Sequence, residues 1–361
     1  MKILVLAGGL SHERDVSLSS GSLAANALMA GGHSVALVDL YLGIESERDI
    51  FLDGDSGKKY SYQVTRQEPD LAKVKEENGG RDALIGPNVI EACMGSDLVF
   101  MALHGGIGEN GQIQAVFDCY GVKYTGSGYI GSLLAMDKDL AKRIMRQSGV
   151  PTADWCLAAS EDADAKSLIS ELGLPLVVKP CCNGSSIGVS MANDRSELEA
   201  AISAAGRYES RLLAEKKITG REFSVGILDG RPLPVIEIKP RSGFYNYENK
   251  YQAGAAEEIC PAELSERSAE DLQELALKTH SALRLGGYSR IDFILDENNG
   301  PFCLEANTLP GLTPTSLLPQ EAAAAGVCYE DLCDKIAKLA FKAGGQPRAK
   351  SRICNEGIVL K

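Results

Sequence analysis

Hydrophobic positions along this chain change period repeatedly, and each change marks an element. Lys2–Leu6 is an unbroken apolar run that ends at Gly8-Gly9. Val16–Ala30 then spaces its apolar residues as a helix does, and Val35–Asp39 is a second apolar run. Strand, glycine turn, helix and strand in that order predict the start of a parallel, doubly wound sheet. Asp97–Leu103 reads as a further strand, Gln112–Tyr120 as a helix and Val122–Thr125 as a short strand. The stretch 42–91 is charged and has no period, which predicts a surface insertion. Gly126-Ser-Gly-Tyr-Ile-Gly marks a domain boundary.

Beyond that boundary the pattern predicts one helix over Ser132–Gln147, another over Ala163–Leu172, and strands at Leu176–Lys179 and Ile187–Met191. Asp194 stands where it would cap a helix over Ser196–Ala205. Strands at Arg211–Glu215 and Glu222–Leu228 follow, then helices at Ala269–Leu283, Pro319–Ala325 and Tyr329–Lys342. Loop 240–258 is rich in glycine and aromatic residues, as a lid over a site would be. The tail from Gly344 is polar and basic and is expected to be mobile.

The most informative stretch is Tyr288–Leu317. Two apolar-rich runs, Arg290–Leu295 and Pro301–Ala306, flank Asp296-Glu-Asn-Asn-Gly300, and Asn-Gly is a strong hairpin signal. With Asn299-Gly300 as a two-residue loop, Asp292 pairs with Asn307. Side chains alternate along a strand, so one face then carries Ile291, Phe293, Leu295, Phe302, Leu304 and Ala306. Arg290, Asp292, Glu305 and Asn307 share the other. A four-residue loop gives the same faces, whereas three or five residues would separate Asp292 from Glu305. Two carboxylates and an amide oxygen on one face suit a hard divalent cation. A solvated polar face is the competing reading.

Composition narrows the class. The chain has 361 residues, 44% hydrophobic and 24% charged, which suits a globular protein of two or three domains. A net charge of -12 and a pI near 5.0 argue against nucleic acid or an anionic membrane as the main partner. No apolar run has membrane-spanning length, and the apolar start of MKILVLAGGLSHERD is too short for a signal peptide. Ten cysteines without C-x-x-C spacing read as reduced thiols, so a cytoplasmic location is expected.

Two further places invite chemistry. His104-Gly105-Gly106 follows a strand at the sheet edge where ligands bind in open α/β sheets, although a histidine merely capping that strand would look the same. Pro180-Cys-Cys-Asn-Gly-Ser-Ser-Ile-Gly188, after Lys179, is a small-residue loop whose N–H groups could fold over a phosphate, or a hairpin loop with no ligand. It has no Walker spacing, and Gly8-Gly9 lacks the G-x-G-x-x-G of a dinucleotide fold, so Asp39 has no support as a ribose ligand.

GGLSHERDVSLSSG, ALHGGIGENG, YTGSGYIGSLLAMDK, VVKP with NGSSIGVS, REFSV, FYNYENKY, and RIDF with LEANTLPGLT occur in this order. With them the chain resembles the ATP-grasp carboxylate–amine ligases, in the branch that joins D-alanine to a second D-alanine, from Lys2 to about Leu339. The resemblance implies a three-domain α/β protein: an N-terminal parallel domain over 1–126 and two α+β ATP-grasp domains over 127–214 and 215–343. It also implies ATP and two magnesium or manganese ions as cofactors, and a homodimer.

The family's motifs carry over residue by residue. Lys138 and Lys179 are implied to hold phosphates, Glu215 the adenine amino group, Lys216 and Ile218 the adenine edge, and Glu222 the ribose. Lys250 is also implied on the nucleotide side. Asp292, Glu305 and Asn307 are the implied metal ligands, and Ser185 and Ser186 belong to the phosphate-covering loop. Glu13 and His104 are implied at the first D-alanine, with Tyr251, Ser185 and Glu13 linking lid to base. Arg290 and the Gly311 N–H are implied to stabilise an oxyanion, and Ser316 with Leu317 to bind the second substrate. Cys181-Cys182, Lys217 and Pro314-Thr315 depart from the family's pattern. A D-lactate or D-serine ligase, and a nucleotide-binding protein without ligase activity, are the rivals.

Overall fold

The computed structural model describes residues 1–45, 50–64, 69–184, 187–240 and 256–343. The described strands form three sheets. The first is parallel, in the order β2-β1-β3, from β1 (Lys2–Ala7), β2 (Ser34–Asp39) and β3 (Leu98–Met101). Ile3 to Ala7 and Leu98 to Met101 are all buried, as expected of strands covered on both faces. The crossover helix Arg14–Ala30 lies on one side, and the last helix, Tyr329–Ala343, packs against it. The expected strand Val122–Thr125 makes only a single bridge, Tyr124 to Val99.

The second sheet is antiparallel, β4-β7-β5-β6, from β4 (Trp155–Ala159), β5 (Leu176–Pro180), β6 (Ser190–Ala192) and β7 (Arg211–Lys216). Helices Ala165–Leu172 and Arg195–Gly206 close its apolar face, and each starts on an aspartate cap, Asp164 and Asp194. The third sheet runs β11-β10-β8-β12-β13, with the two-residue β9 (Arg231–Pro232) beside β8 (Gly220–Leu228). Its other members are β10 (Ile236–Pro240), β11 (Ala256–Ile259), β12 (Tyr288–Asp296) and β13 (Pro301–Asn307). Phe223, Val225, Ile291, Phe293, Leu295 and Cys303 form one buried face of this sheet with Leu272, Ala276 and Leu283.

Three expectations need correction. The single helix over Ser132–Gln147 is two, Tyr129–Met136 and Lys138–Gln147. Asp137 adopts extended geometry between them, and its carboxylate accepts from the Leu140 N–H, so a capping aspartate stops one helix and starts the next. Region 42–91 is not simply a surface insertion. It contains helices Leu71–Glu77 and Val89–Met94, and Phe51, Leu52, Tyr60 and Ile85 pack on the first sheet's core. Asn26 and Tyr60 exchange two hydrogen bonds there.

The hairpin also differs from its expected register. Leu295 pairs with Pro301, Ile294 with Phe302 and Phe293 with Cys303, so the turn has an odd loop centred on Asn298, and the next residue, Asn299, has a φ of +61°. Continued regularly, that register would put Asp292 and Glu305 on opposite faces. It is broken by a β-bulge: Leu304 is the extra residue, and Asp292 pairs directly with Glu305, Ile291 with Ala306 and Arg290 with Asn307. The polar face is therefore as expected, by a different route. The apolar face differs, since Cys303 is buried in the place expected for Phe302 and Leu304, which are half-buried.

Candidate active site

The site is assembled where the three sheets meet. On the second sheet, Glu215 ends β7 with its side chain buried, and two ammonium groups converge on it. Lys179 Nζ, at the end of β5, lies 2.6 Å from Glu215 Oε1, and Lys142 Nζ lies 2.8 Å from Oε2. Burial alone would raise the carboxyl, but the charges of Lys179 and Lys142 outweigh it and hold Glu215 at about 2. Lys142 is itself buried, which lowers its pKa, and it donates to Thr152 Oγ1 at 2.7 Å. Lys138 opens its helix, its N–H bonded to the Cys181 carbonyl and its ammonium to the Asn183 carbonyl. Lys138 and Lys179 thus flank the start of loop 180–188. Lys216 is exposed at the strand end, with its ammonium 3.2 Å from Asp154, and Ile218 is half-buried just beyond.

The hairpin face of the third sheet carries a dense polar network. Asp292 Oδ1 accepts from Arg290 Nε at 2.9 Å and Ser224 Oγ at 2.7 Å, and Oδ2 accepts from Arg290 Nη2 at 2.8 Å and Asn307 Nδ2 at 2.9 Å. Glu305 is directly across from Asp292. Glu222, opposite Ile294 on β8, shares this face by strand alternation. Burial would lower the Arg290 guanidinium, but Asp292 and Glu305 keep it charged well beyond its ordinary range. The outer edge of β13 is covered, because Cys303 N–H bonds to the Pro151 carbonyl and the Cys303 carbonyl accepts from Thr152 Oγ1. Glu215, Lys142, Thr152 and Cys303 thereby connect the second sheet to the hairpin.

The first sheet contributes the third side. Glu13 and His104 are buried at the C-terminal edge of the parallel strands. A Cβ at Gly105 would fall 2.9 Å from Glu13 Oε2, and one at Gly184 would fall 3.3 Å from the same oxygen. The carboxylate is thus held between the His104 loop and the loop after β5, next to Asn183 and Lys138. His104 Nε2 lies 3.3 Å from Ser20 Oγ, and burial lowers its pKa, which favours the neutral ring. Glu109 accepts from the Gly105 N–H at 2.6 Å, and burial followed by the charge of Glu13 raises its pKa.

The turn after β13 closes the arrangement. A Cβ on Gly311 would sit 2.8 Å from Ser316 Oγ, which in turn lies 2.8 Å from Thr313 Oγ1. Ser316 precedes the helix Leu317–Ala324, and Leu317 is buried against Ile236 and Ile238. Ser185, Ser186, Lys250 and Tyr251, together with most of loop 240–258 and the tail from Gly344, lie outside the described residues.

Several site residues had not been singled out from the sequence. Lys142 follows Lys138 by one helical turn, the spacing that puts two side chains on one helix face. Ser224 follows Glu222 by two, the spacing of one strand face. Glu109 and Thr152 carry no such signal. Asp39, set aside as a ribose ligand, is paired with Arg14 at 2.5 Å.

Comparison with known proteins agrees with this architecture. Residues 2–127 match the family model "D-ala D-ala ligase N-terminus" and residues 144–338 match "D-ala D-ala ligase C-terminus". The chain is 42% identical to a D-alanine–D-alanine ligase of Pediococcus pentosaceus, over 93% of this chain and 96% of that one. It is 41% identical to the Lacticaseibacillus casei enzyme, over 97% and 99%. The crystal structure of D-alanine–D-alanine ligase from Bacillus anthracis complexed with ATP superposes with a TM-score of 0.73 at 27% identity, covering 95% of this chain and 98% of that one. With both family models matched in order along most of its length, this chain belongs to the D-alanine–D-alanine ligase family.

Proposed function

We propose that this chain is an ATP-dependent ligase that joins two molecules of D-alanine into D-alanyl-D-alanine, a precursor for the peptidoglycan of the cell wall. The observation that carries the reading is the hairpin face on which Arg290, Asp292, Glu305 and Asn307 stand together, in a member of this family. A carboxylate is a poor electrophile, so the first D-alanine takes the γ-phosphoryl group of ATP and becomes an acyl phosphate. The amine of the second attacks the acyl carbon, its proton is lost, and the carbon–oxygen bond to phosphate breaks. ADP and phosphate leave with the dipeptide.

The chain's residues divide this work. Lys138 and Lys179, both buried beside the loop after β5, supply fixed positive charge to phosphate oxygens. Glu215, kept ionised by Lys142 and Lys179, accepts from the adenine amino group, with Lys216 and Ile218 at its edge and Glu222 toward the ribose. Asp292, Glu305 and Asn307 present hard oxygens on one face, which fits magnesium or manganese; two such ions, when bound, neutralise the transferring phosphoryl group. Glu13 holds the first ammonium beside a neutral His104. Arg290 and the Gly311 N–H face the developing oxyanion, and Ser316 takes the second carboxylate. A division into three domains over 1–126, 127–214 and 215–343 is part of the proposal, although β7 (Arg211–Lys216) runs across its second boundary.

Among the described residues no helix is long and apolar enough to cross a membrane. A homodimer is part of the proposal, and its mass in solution checks it against 38.4 kDa per chain. The activity test is a competition: purified protein, ATP, magnesium, and equal D-alanine, D-lactate and D-serine at neutral pH, with products read by mass spectrometry. D-alanyl-D-alanine is expected to dominate. A dominant ester or D-alanyl-D-serine would overturn the specificity, and no phosphate release with any of the three would overturn the ligase reading.

A further inference from the structure

Glu321 is fully buried, and among the described residues no side chain donates a hydrogen bond to either of its carboxyl oxygens, the Gly226 backbone N–H being the one donor turned toward it. A buried carboxyl left this way is costly and calls for a cause. It belongs to the helix Leu317–Ala324, in the run Leu317-Leu-Pro-Gln-Glu-Ala-Ala-Ala324, whose other residues apart from Gln320 are apolar. Its carboxyl reaches over β8 at Gly226, where a Cβ would fall 2.3 Å from Glu321 Oε2. Gly226 is the direct cross-strand partner of Arg290. Facing side chains on antiparallel strands start about 5 Å apart, so the carboxyl occupies the space that a residue 226 side chain would have beside Arg290. Burial raises the Glu321 carboxyl well above its ordinary value, and among the charged neighbours Arg290 is the one that draws it back.

Asp292 supplies the reason such a carboxyl would be kept. Among the described residues its two oxygens already accept four hydrogen bonds, two from Arg290 and one each from Ser224 and Asn307. A carboxylate has about four lone-pair sites. If Asp292 is to face a divalent cation, as the proposed function requires, at least one donor must let go. Arg290 holds two of the four positions, and a guanidinium that released them with no second carboxylate in reach would lose its aim.

We propose that Glu321 is a positioning residue for Arg290: it receives the guanidinium from Asp292 when the cation binds, and holds it toward the reacting carbonyl. Gly226 leaves the room for this exchange. The helix that carries Glu321 begins just after Ser316, so the same element that would seat the second substrate also braces the arginine. The inference rests on the ligase reading for its purpose, but its central event, a change of partner by Arg290, is observable without turnover.

The experiment uses the full-length protein and the variants Glu321→Gln and Glu321→Asp. The ¹⁵N signal of Arg290 Nε, identified by its loss in Arg290→Lys, is followed as magnesium and ADP are added. It is expected to move in the wild type and to stay at its metal-free position in Glu321→Gln. Manganese binding in the presence of ADP, read by electron paramagnetic resonance, is expected to weaken about tenfold in Glu321→Gln, and kcat to fall about 10–100-fold with KM for ATP within about twofold. Glu321→Asp keeps the charge but withdraws it, and is expected to fail as Glu321→Gln does. The proposal is overturned if the Arg290 signal moves equally in wild type and Glu321→Gln, or if Glu321→Asp matches wild type while Glu321→Gln does not. That second pattern would assign Glu321 a field effect rather than a brace. A wild type that shows the Arg290 shift but forms no dipeptide would refute the ligase reading and leave the exchange standing.

Discussion

Replacing Glu215 with glutamine removes one negative charge from a buried site that holds two positive ones. The wild-type carboxylate lies 2.6 Å from Lys179 and 2.8 Å from Lys142, with its side chain 6% exposed. Its pKa is depressed from 4.5 to about 2. A depressed carboxyl contributes stability that is complete above its unfolded-state value and is lost as pH falls through the folded-state value. That places the loss between about pH 4.5 and pH 2. That depression corresponds to about 3 kcal/mol, the lower end of what breaking a buried ion pair costs. For a single unfolding transition of 361 residues, the unfolding entropy is on the order of 0.8 kcal/mol per kelvin, so Tm should fall by about 4 °C.

Thermal melts of wild type and Glu215→Gln without nucleotide, from pH 7 down to pH 3, provide the measurement. The two should differ by about 4 °C at pH 7 and converge as the wild-type carboxylate protonates. Adding Lys142→Met to Glu215→Gln should recover part of the loss, because it removes one of the uncompensated ammonium groups. Equal melting temperatures at pH 7, or a gap that widens toward pH 3, would refute the assignment of Glu215 as an ion-paired anion.

Asp292→Asn and Glu305→Gln should each abolish phosphate release while leaving Tm within a few degrees, since shape is kept and charge at the metal face is lost; near-normal turnover in either would show that this face holds no metal. Gly105→Ala places a methyl 2.9 Å from Glu13 Oε2 at a backbone φ of +68°. It should raise KM for D-alanine about tenfold or more and leave KM for ATP nearly unchanged, and equal effects on the two would detach Glu13 from the first substrate. Cys182 is near the surface and Cys181 is buried, with its thiol donating to Asp137. Mild oxidant should leave ligase activity unchanged, and a loss that Cys181→Ser, Cys182→Ser abolishes would make the pair a redox sensor.

The periodic runs of the sequence were enough to place the first parallel sheet, His104 at its edge, Lys179 at a strand end and the hairpin with its acidic face. These follow from local rules, since apolar period and turn residues act over a few positions and need no partner. Which face Glu305 occupies did not follow from them. Counting back from Asn299-Gly300 reached the right face through a register that the protein does not use. The actual register is set by β8, where Phe223 lies opposite Phe293, and by burial of Cys303 in the same core. The Leu304 bulge then returns Glu305 to the side of Asp292. Likewise the sixth position of an apparent helix became a boundary because Asp137 could cap Leu140 and pair with Arg211 at 2.9 Å. Lys142 meeting Glu215, and Glu321 reaching Gly226 beside Arg290, join residues far apart in the chain. Such meetings depend on how three sheets pack, and no period in a single stretch of chain encodes them.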